Sequence, residues 1–492
     1  MDLNFQNREV SCLSHALREI QNSEQTQEIK LTEGMPDVGR IVSAWGQPIL
    51  RGKEWGADTL NYTGGMMVWV LYAPEDGSPE RCVEGWIPFQ LRWDIPEELP
   101  EGQIRLRLLP RLVDARSVSP RKILVRAGMA VSAEAFVPTQ IPVPELETAP
   151  DGVELLRRTY PVRLMKEAGE KSFVLDEELS LPDSAPRPEQ IIYYAVEPKV
   201  SDRKVLSEKV VFRGNANLHT LYRGEDGQLH SWDFDLPFSQ YAELSGEYGP
   251  EAQAEFALCP TSMELELDDG GRLRFKCGVT AQYGISDREQ LNVVEDAYSP
   301  NRELTIQTQT LELPAILENR RETAYAQGNL PIHTAADVRF LPDFPRQKYR
   351  ENGVELELPG VFQSLSYGED GSLEAATVRW DGSMNLNADE NTFLTAVPAP
   401  ASIQVSAGSV KAELLLELTS AAKQQLPVVT GLTLGEERRP DPSRPCLILR
   451  RVGSESLWQV AKEAHSTTTA IREANGLQNE PAPGQLLLIP VL

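Results

Sequence analysis

Leu221-Tyr222-Arg223-Gly224-Glu225-Asp226-Gly227-Gln228-Leu229-His230-Ser231-Trp232-Asp233-Phe234-Asp235-Leu236-Pro237-Phe238 is the stretch whose reading settles the fold. His230, Trp232, Phe234 and Leu236 alternate with Ser231, Asp233 and Asp235, which is the period of a half-buried strand. Ahead of it, Glu-Asp-Gly separates two extended runs, and a glycine there accepts the positive φ of a tight β connection, so the stretch reads as a hairpin. The phrase occurs twice more, as Leu71-Tyr72-Ala73-Pro74-Glu75-Asp76-Gly77 and as Ser366-Tyr367-Gly368-Glu369-Asp370-Gly371, with the tyrosines 150 and 145 residues apart. Ile87-Pro88-Phe89 echoes Leu236-Pro237-Phe238, and Pro36-Asp37 echoes Pro188-Glu189 and, more faintly, Ala336-Asp337. Ile123-Leu124-Val125-Arg126-Ala127-Gly128 likewise resembles Leu273-Arg274-Phe275-Lys276-Cys277-Gly278. The third copy has drifted furthest, with Trp380-Asp381-Gly382 in place of a Pro-Phe pair.

A mainly β chain follows, with three tandem β-rich, sandwich-like domains at residues 1–145, 146–305 and 306–430. A Pro-rich linker is expected at 431–445 and a small module at 446–492. Pro142 to Pro150 also reads as a stiff connector, since proline fixes φ and restricts the residue before it. Val10 to Gln21 and Val153 to Arg158 read either as short helices or as lead-in segments.

The 492 residues carry 48 Lys and Arg against 73 Asp and Glu, a formal charge of -25. Such a balance argues against nucleic acid, whose phosphates need a basic face. No basic and apolar leader opens the sequence. The most apolar segment, Gly64 to Ala73, is about half the ~20 residues of a membrane-spanning helix. These features lead to an expectation of a protein without a signal peptide or transmembrane segment. Five cysteines, odd in number and never paired as C-x-x-C, predict reduced, mostly buried thiols. Catalysis would need a nucleophile with its base, paired carboxylates or metal ligands. His15, His219, His230, His333 and His465 stand apart, and neither H-E-x-x-H nor G-x-S-x-G occurs, so we expect no enzyme, no metal and no cofactor. Two acids before one glycine supply too few oxygens for calcium, and the Glu-Asp-Gly phrases read as plain turns. Tyr72, Tyr222 and Tyr367 read as equivalent core residues.

Residues 446–492 predict strand, helix, helix, strand. Leu447-Ile448-Leu449 is a short apolar strand, and Ser456-Leu457-Trp458-Gln459 has capping-box spacing. Leu457, Val460, Ala461 and Ala464 give the following helix one apolar face. Thr467 or Thr468 can cap a second helix that ends at Asn475-Gly476. Pro483-Gly484 then turns the chain into Leu486-Leu487-Leu488-Ile489-Pro490. The segment is neutral, with Arg450, Arg451, Lys462 and Arg472 against Glu455, Glu463, Glu473 and Glu480, so the acidic excess lies entirely before it.

The order Pro-Asp, strand, L-Y-x-x-E-D-G, return strand, Pro-Phe and the Ser119-to-Ala127 segment resembles the SPOCS domain of endospore coat proteins. The 446–492 segment resembles a LysM domain, with Ser454-Glu455-Ser456-Leu457-Trp458 where that family has Gly-Asp-Thr-Leu-Trp. Together they resemble SipL-type spore coat morphogenetic proteins. The resemblance implies a non-enzymatic scaffold of endospore coat assembly, acting in the mother-cell cytoplasm at the forespore surface. Its LysM module would dock on the coat basement-layer ATPase and its β-domains on other coat proteins. The alternative is a glycan-binding protein whose LysM groove takes peptidoglycan, a polymer containing N-acetylglucosamine. Either ligand would sit on Ser454, Glu455, Ser456, Leu457, Asn475, Gly476, Leu477 and Gln478, above a core of Trp458, Val460, Ala461, Ile471 and Ile489.

Overall fold

A computed structural model describes residues 2–96, 99–330, 334–351, 353–388, 392–406, 408–438 and 445–491. His333 and residues 439–444 of the expected Pro-rich linker lie outside these residues, and residues 431–437 of that linker are strand, paired in a sheet, and not a connector. Strands make up 77% of the chain and helices 3%, so the mainly β expectation holds.

The strands fall into three sets with one pairing plan. In the first are β1 (Asp2–Asn4), β2 (Gln6–Lys30), β3 (Val38–Trp55), β4 (Thr59–Pro74), β5 (Arg81–Asp94), β6 (Gln103–Ser119) and β7 (Lys122–Glu145). The second holds β8 (Glu154–Leu179), β9 (Pro188–Gly224), β10 (Leu229–Tyr248), β11 (Gln253–Leu267) and β12 (Leu273–Tyr298). The third holds β13 (Arg302–Asn329), β14 (Thr334–Pro342), β15 (Arg346–Arg350), β16 (Gly353–Tyr367), β17 (Leu373–Leu386), β18 (Thr392–Ser406) and β19 (Ser409–Glu437). One sheet of each set carries the Glu-Asp-Gly hairpin: β3-β4-β5, β9-β10 and β14-β16-β17. The other joins the set's first long strand to its last two, as β2-β7-β6, β8-β12-β11 and β13-β19-β18.

Each Glu-Asp-Gly turn is built alike. Gly77, Gly227 and Gly371 have φ of 73°, 79° and 80°, a region open to glycine at little cost. The Asp before each accepts the backbone N–H two residues on, from Ser78, Gln228 and Ser372, at 2.9, 3.0 and 2.9 Å. Such Asx turns use the carboxylate locally.

Val10 to Gln21 lie in β2, and of the segment Val153 to Arg158 all but Val153 lie in β8, which excludes the helical option. Pro142 lies inside β7 opposite Glu9, and β7 has β2 as its only ladder partner there, so the missing proline N–H costs no pairing. In the third set β13 starts at Arg302, ahead of 306, and β19 runs past 430 to Glu437, where it pairs with Arg302.

The long strands outrun their third partners. β6 pairs with β7 only as far as Phe136, β11 with β12 as far as Ser286, and β18 with β19 as far as Ala422. Beyond those points run three two-stranded arms. They meet in a core to which six strands contribute two residues each: Val10 and Cys12, Ile141 and Val143, Val162 and Leu164, Leu291 and Val293, Leu311 and Leu313, Leu426 and Val428. In every pair the two residues are two apart, so both side chains point to one face of the strand. Strand β1 then pairs with Gly431–Thr433 of β19, joining the start of the first set to the end of the third.

At the opposite end the sets meet through aromatic and polar contacts. Trp45 stacks on Tyr193 at 5.1 Å between centroids, and the Arg339 guanidinium lies 5.0 Å from the same ring, so each set contributes one member. Gln47 Oε1 accepts the Val196 N–H at 3.2 Å, and Gln363 Nε2 donates to the Ala44 carbonyl at 3.0 Å. Tyr72 and Tyr222 are buried, but Tyr367 is not their equivalent. It pairs with Leu373 directly beside its turn, whereas Tyr222 pairs with His230 one rung further back. Its hydroxyl accepts the Leu229 N–H at 2.7 Å, so it ties the third hairpin to the second.

His219, apart from other chemistry in the sequence, sits between two carboxylates in the fold. Nδ1 is 2.7 Å from Asp233, and Nε2 is 3.2 Å from Asp337 of the third set. Burial lowers its affinity for a proton, but Asp337 and Asp233 together outweigh that and push the pKa up to about 10. A folded pKa above the ordinary value near 6.5 gives stability that is whole below pH ~6.5 and fades as the pH climbs to about 10. The melting temperature should therefore fall across that interval, and His219→Gln should remove that part of the slope. An unchanged slope in the variant would refute the assignment. Separately, Leu291→Ala in the shared core should cost about 2–5 kcal/mol in denaturant unfolding, against less than about 0.5 kcal/mol for exposed Val174→Ala.

Candidate functional site

The C-terminal module consists of β20 (Leu447–Arg451), α1 (Leu457–Ala464), α2 (Thr468–Asn475) and β21 (Leu486–Pro490). Ser456 caps α1 through the Gln459 N–H, and the Gln459 side chain bonds back to the Ser456 N–H at 3.0 Å, which completes the capping box. Thr467 caps α2, and Gly476 ends it with φ 63°. Val460, Ala461, Ile471 and Ile489 are fully buried between the helices and the sheet, together with Leu457 and Leu487.

The residues expected on a groove fall into two neighbouring loops. Ser454 and Ser456 are exposed, as are Gly476 and Gln478, while Glu455, Asn475 and Leu477 are half-buried and Leu457 is buried. The loops are tied by the Leu457 N–H, which donates to Glu480 Oε2 at 2.9 Å, and Glu480 in turn accepts from Arg472 at 2.9 Å. Glu455 accepts from the Gly453 N–H and from Arg450, and its own backbone N–H, Arg450 and Gly453 together hold its carboxyl below the usual carboxylate range. Asn475 has a more specific duty. Its Nδ2 donates to the Ile471 and Leu488 carbonyls at 2.8 and 2.6 Å, and its Oδ1 accepts the Leu488 N–H at 2.8 Å. The amide thus pins α2 to β21, and its polar atoms are spent within the module.

Trp458 is half-buried against the module core and also faces the arm of the second set. Its ring meets Tyr298 edge-on at 4.7 Å, and Nε1 donates to Asp296 Oδ2 at 2.9 Å. Lys462, one turn on, reaches both oxygens of the same carboxylate at 2.7 Å. The Tyr298 hydroxyl donates to the Ser466 carbonyl at 3.0 Å, and Arg438 bonds His465. One face of α1 is therefore seated on the end of β12, and the two loops remain open. Asp296 and Tyr298 were not foreseeable from the sequence, because nothing near Asp296-Ala297-Tyr298 marks the end of a strand as a seat.

Elsewhere, a cavity of about 190 Å³ lies where the three sets join, lined by Arg107, Arg203, Glu255, Asn319, Arg321 and Glu417 among others. Its cations are matched: Arg203 and Arg321 pair with Glu417, and Arg107 with Glu134. Burial pushes the Glu134 carboxyl up, but Arg105 and Arg107 outweigh it and hold the group well below the usual range. The arrangement is an ion-pair junction. Among the described residues no cluster of three or more His, Cys, Asp or Glu could hold a metal. The five cysteines are free, with Cys446 exposed, and among the described residues no helix is long and apolar enough to cross a membrane.

The hairpin sheet of the second set, with its Tyr222 and Pro237-Phe238 landmarks, carries a likeness to a known family. Residues 188–265 match the family described as SipL, SPOCS domain. The matched SPOCS segment runs through β9 and β10 into β11, and it links the chain to sporulation and to coat-related proteins. No curated protein and no solved structure matches the chain.

Asp296→Ala should unseat the module. The three charge-assisted contacts from Trp458 and Lys462 disappear, together worth roughly 1–3 kcal/mol at this partly exposed site. Trp458 emission should shift to the red and cleavage between 438 and 446 should quicken, while unfolding of the β sets stays put. Unaltered emission would contradict the seat.

Proposed function

We propose that the chain is a non-enzymatic scaffold of endospore coat assembly, in which the 446–492 module is a LysM domain. The observation that carries this reading is the SPOCS match at 188–265, set in a chain whose pairing plan recurs in two further sets of strands. The first and third sets are then SPOCS-like domains as well, and the protein works at the forespore surface in the mother-cell cytoplasm. The module docks through its open loops, with Ser454, Ser456, Gly476 and Gln478 as contact residues, on the basement-layer ATPase of the coat. The β-domains contact other coat proteins.

The seat on β12 supports this division of labour. Because α1 is engaged by Asp296 and Tyr298, the loops are presented in a fixed orientation, and preorganised surfaces lose less freedom on binding. Removal of 446–492 should abolish recruitment of a fluorescently tagged chain to the forespore, while the three β-domains still fold. Gly476→Arg together with Gln478→Arg in the full chain should weaken binding to the purified basement-layer ATPase at least tenfold. Retained localisation after the truncation would defeat the docking reading. Saturable binding to purified peptidoglycan, competed by chitooligomers, would redirect the module to a glycan.

A further inference from the structure

The small sheet of the module has an apolar outer face and an unused edge. Ile448, Leu487 and Ile489 point to the helices. Strand alternation puts Leu447, Leu449, Leu486 and Leu488 on the other side, where they are 50%, 61%, 51% and 38% exposed. Leu449 and Leu488 are directly opposite, as are Arg451 and Leu486. Exposed leucines occurring singly need no explanation, but four on adjoining strands form a patch.

The hydrogen-bonding pattern shows which edge is closed. Leu488 spends its N–H and C=O on the Asn475 side chain, so both groups point away from β20. Opposed residues in an antiparallel ladder share the same orientation, so the N–H and C=O of Leu449 point out of the free side of β20. Those of Leu447 and Arg451 do the same. The sheet has no strand besides β20 and β21, and among the described residues no hydrogen bond reaches these six groups. Asn475 blocks one edge of the sheet, and among the described residues nothing blocks the other.

We propose that β20 is a self-association edge, at which two copies of this chain pair antiparallel about a twofold axis through Leu449. The unpaired groups are symmetric about that residue: Leu449 faces Leu449, and Leu447 faces Arg451 of the other copy. All six groups on each strand find partners, and the two leucine faces fuse on one four-stranded sheet. This is the self-complementarity that a twofold interface needs. Charge agrees, because the module is neutral and Arg451 lands beside leucine, away from its own counterpart. Four half-exposed leucines offer a few hundred Å² per copy, short of the ~800 Å² per partner of a standard stable complex. The dimer is therefore weak and concentration-dependent. Repulsion between bodies of -25 each opposes it, and salt screens that repulsion. The inference is independent of the coat reading, because it rests on the edge and its register.

Sedimentation equilibrium of the full chain tests it. The apparent mass should rise from one 54.8 kDa chain toward two across the micromolar range, and further when salt is raised from about 50 to about 500 mM. Leu449→Lys places two ammonium groups side by side on the axis and should weaken association at least tenfold with an unchanged melting curve. In a Cys446→Ser background, Leu449→Cys should oxidise to a 449–449 disulfide, since hydrogen-bonded partners lie about 5.5 Å apart, within disulfide reach. Leu447→Cys in that background should oxidise far more slowly. A chain that stays monomeric throughout, as it would if this edge served only a different protein, overturns the proposal. Undiminished dimerisation by the lysine variant does the same.

Discussion

Three hairpin arms packed on one another are the constraint from which the rest of the molecule follows. A two-stranded ribbon has a face to bury and too little area of its own to bury it against. Each arm supplies two residues from each of its strands, and only the three together enclose the twelve-residue core. That core sits beyond the reach of β6, β11 and β18, and its closure adds to the packing by which the three sets also meet around Trp45, Tyr193 and Leu365. Pairing of β1 with the end of β19 then links the first residues of the chain to the last strand of the third set. This closed arrangement explains why Tyr193 can be covered by Trp45 and Arg339 from different sets, and why Gln47 and Gln363 reach backbone groups across set boundaries.

Closure also sets the electrostatics. An acidic chain with a net charge of -25 gains little from its surface ion pairs, yet its buried junction is nearly balanced. Arg105, from the first set, reaches Glu134 of that set at 2.9 Å and Glu255 of the second at 3.2 Å, and Glu255 accepts from Thr419 of the third. A buried carboxylate left without its arginine would be costly, so these charges favour one relative placement of the sets. The His219 bridge to Asp337 acts in the same way at another point. The excess negative charge is left for the outside, where it keeps similar surfaces apart.

What the sequence disclosed depended on whether the cause was local. The Glu-Asp-Gly hairpins and the caps at Ser456, Thr467 and Gly476 are set by neighbouring residues, and each is found where its spacing puts it. The first arm was hidden because Ile141-Pro142-Val143 carries proline, a signal for a connector, although Pro142 lies inside β7. Its strand character comes from pairing with β2 alone at that point and from a core assembled by distant segments. Tyr367 was misaligned because one fewer residue separates it from its turn, a shift that only the ladder register reveals. Trp458 packs against the module core, while its indole N–H needs an acceptor that local spacing does not reveal, Asp296, 162 residues away. The two loops expected as a groove do adjoin, whereas Asn475 is withdrawn from them by the strand it pins.

A protein made so largely of strands must dispose of its edges, since each is a row of unpaired amides and carbonyls open to other chains. In the body, β19 is covered on one side by β13 and on the other by β18 and, at its end, by β1. The bulges where β3 meets β4 and where β13 meets β19 add local twist, which makes flat edge-to-edge pairing harder. In the module the same problem is met by one side chain, Asn475, whose amide imitates a neighbouring strand at Leu488. A sheet closed on one side by an asparagine and left open on the other by leucine-bearing β20 is asymmetric in its exposure. That asymmetry, together with the seat that fixes α1 against β12, gives the module one direction in which its backbone can engage another chain.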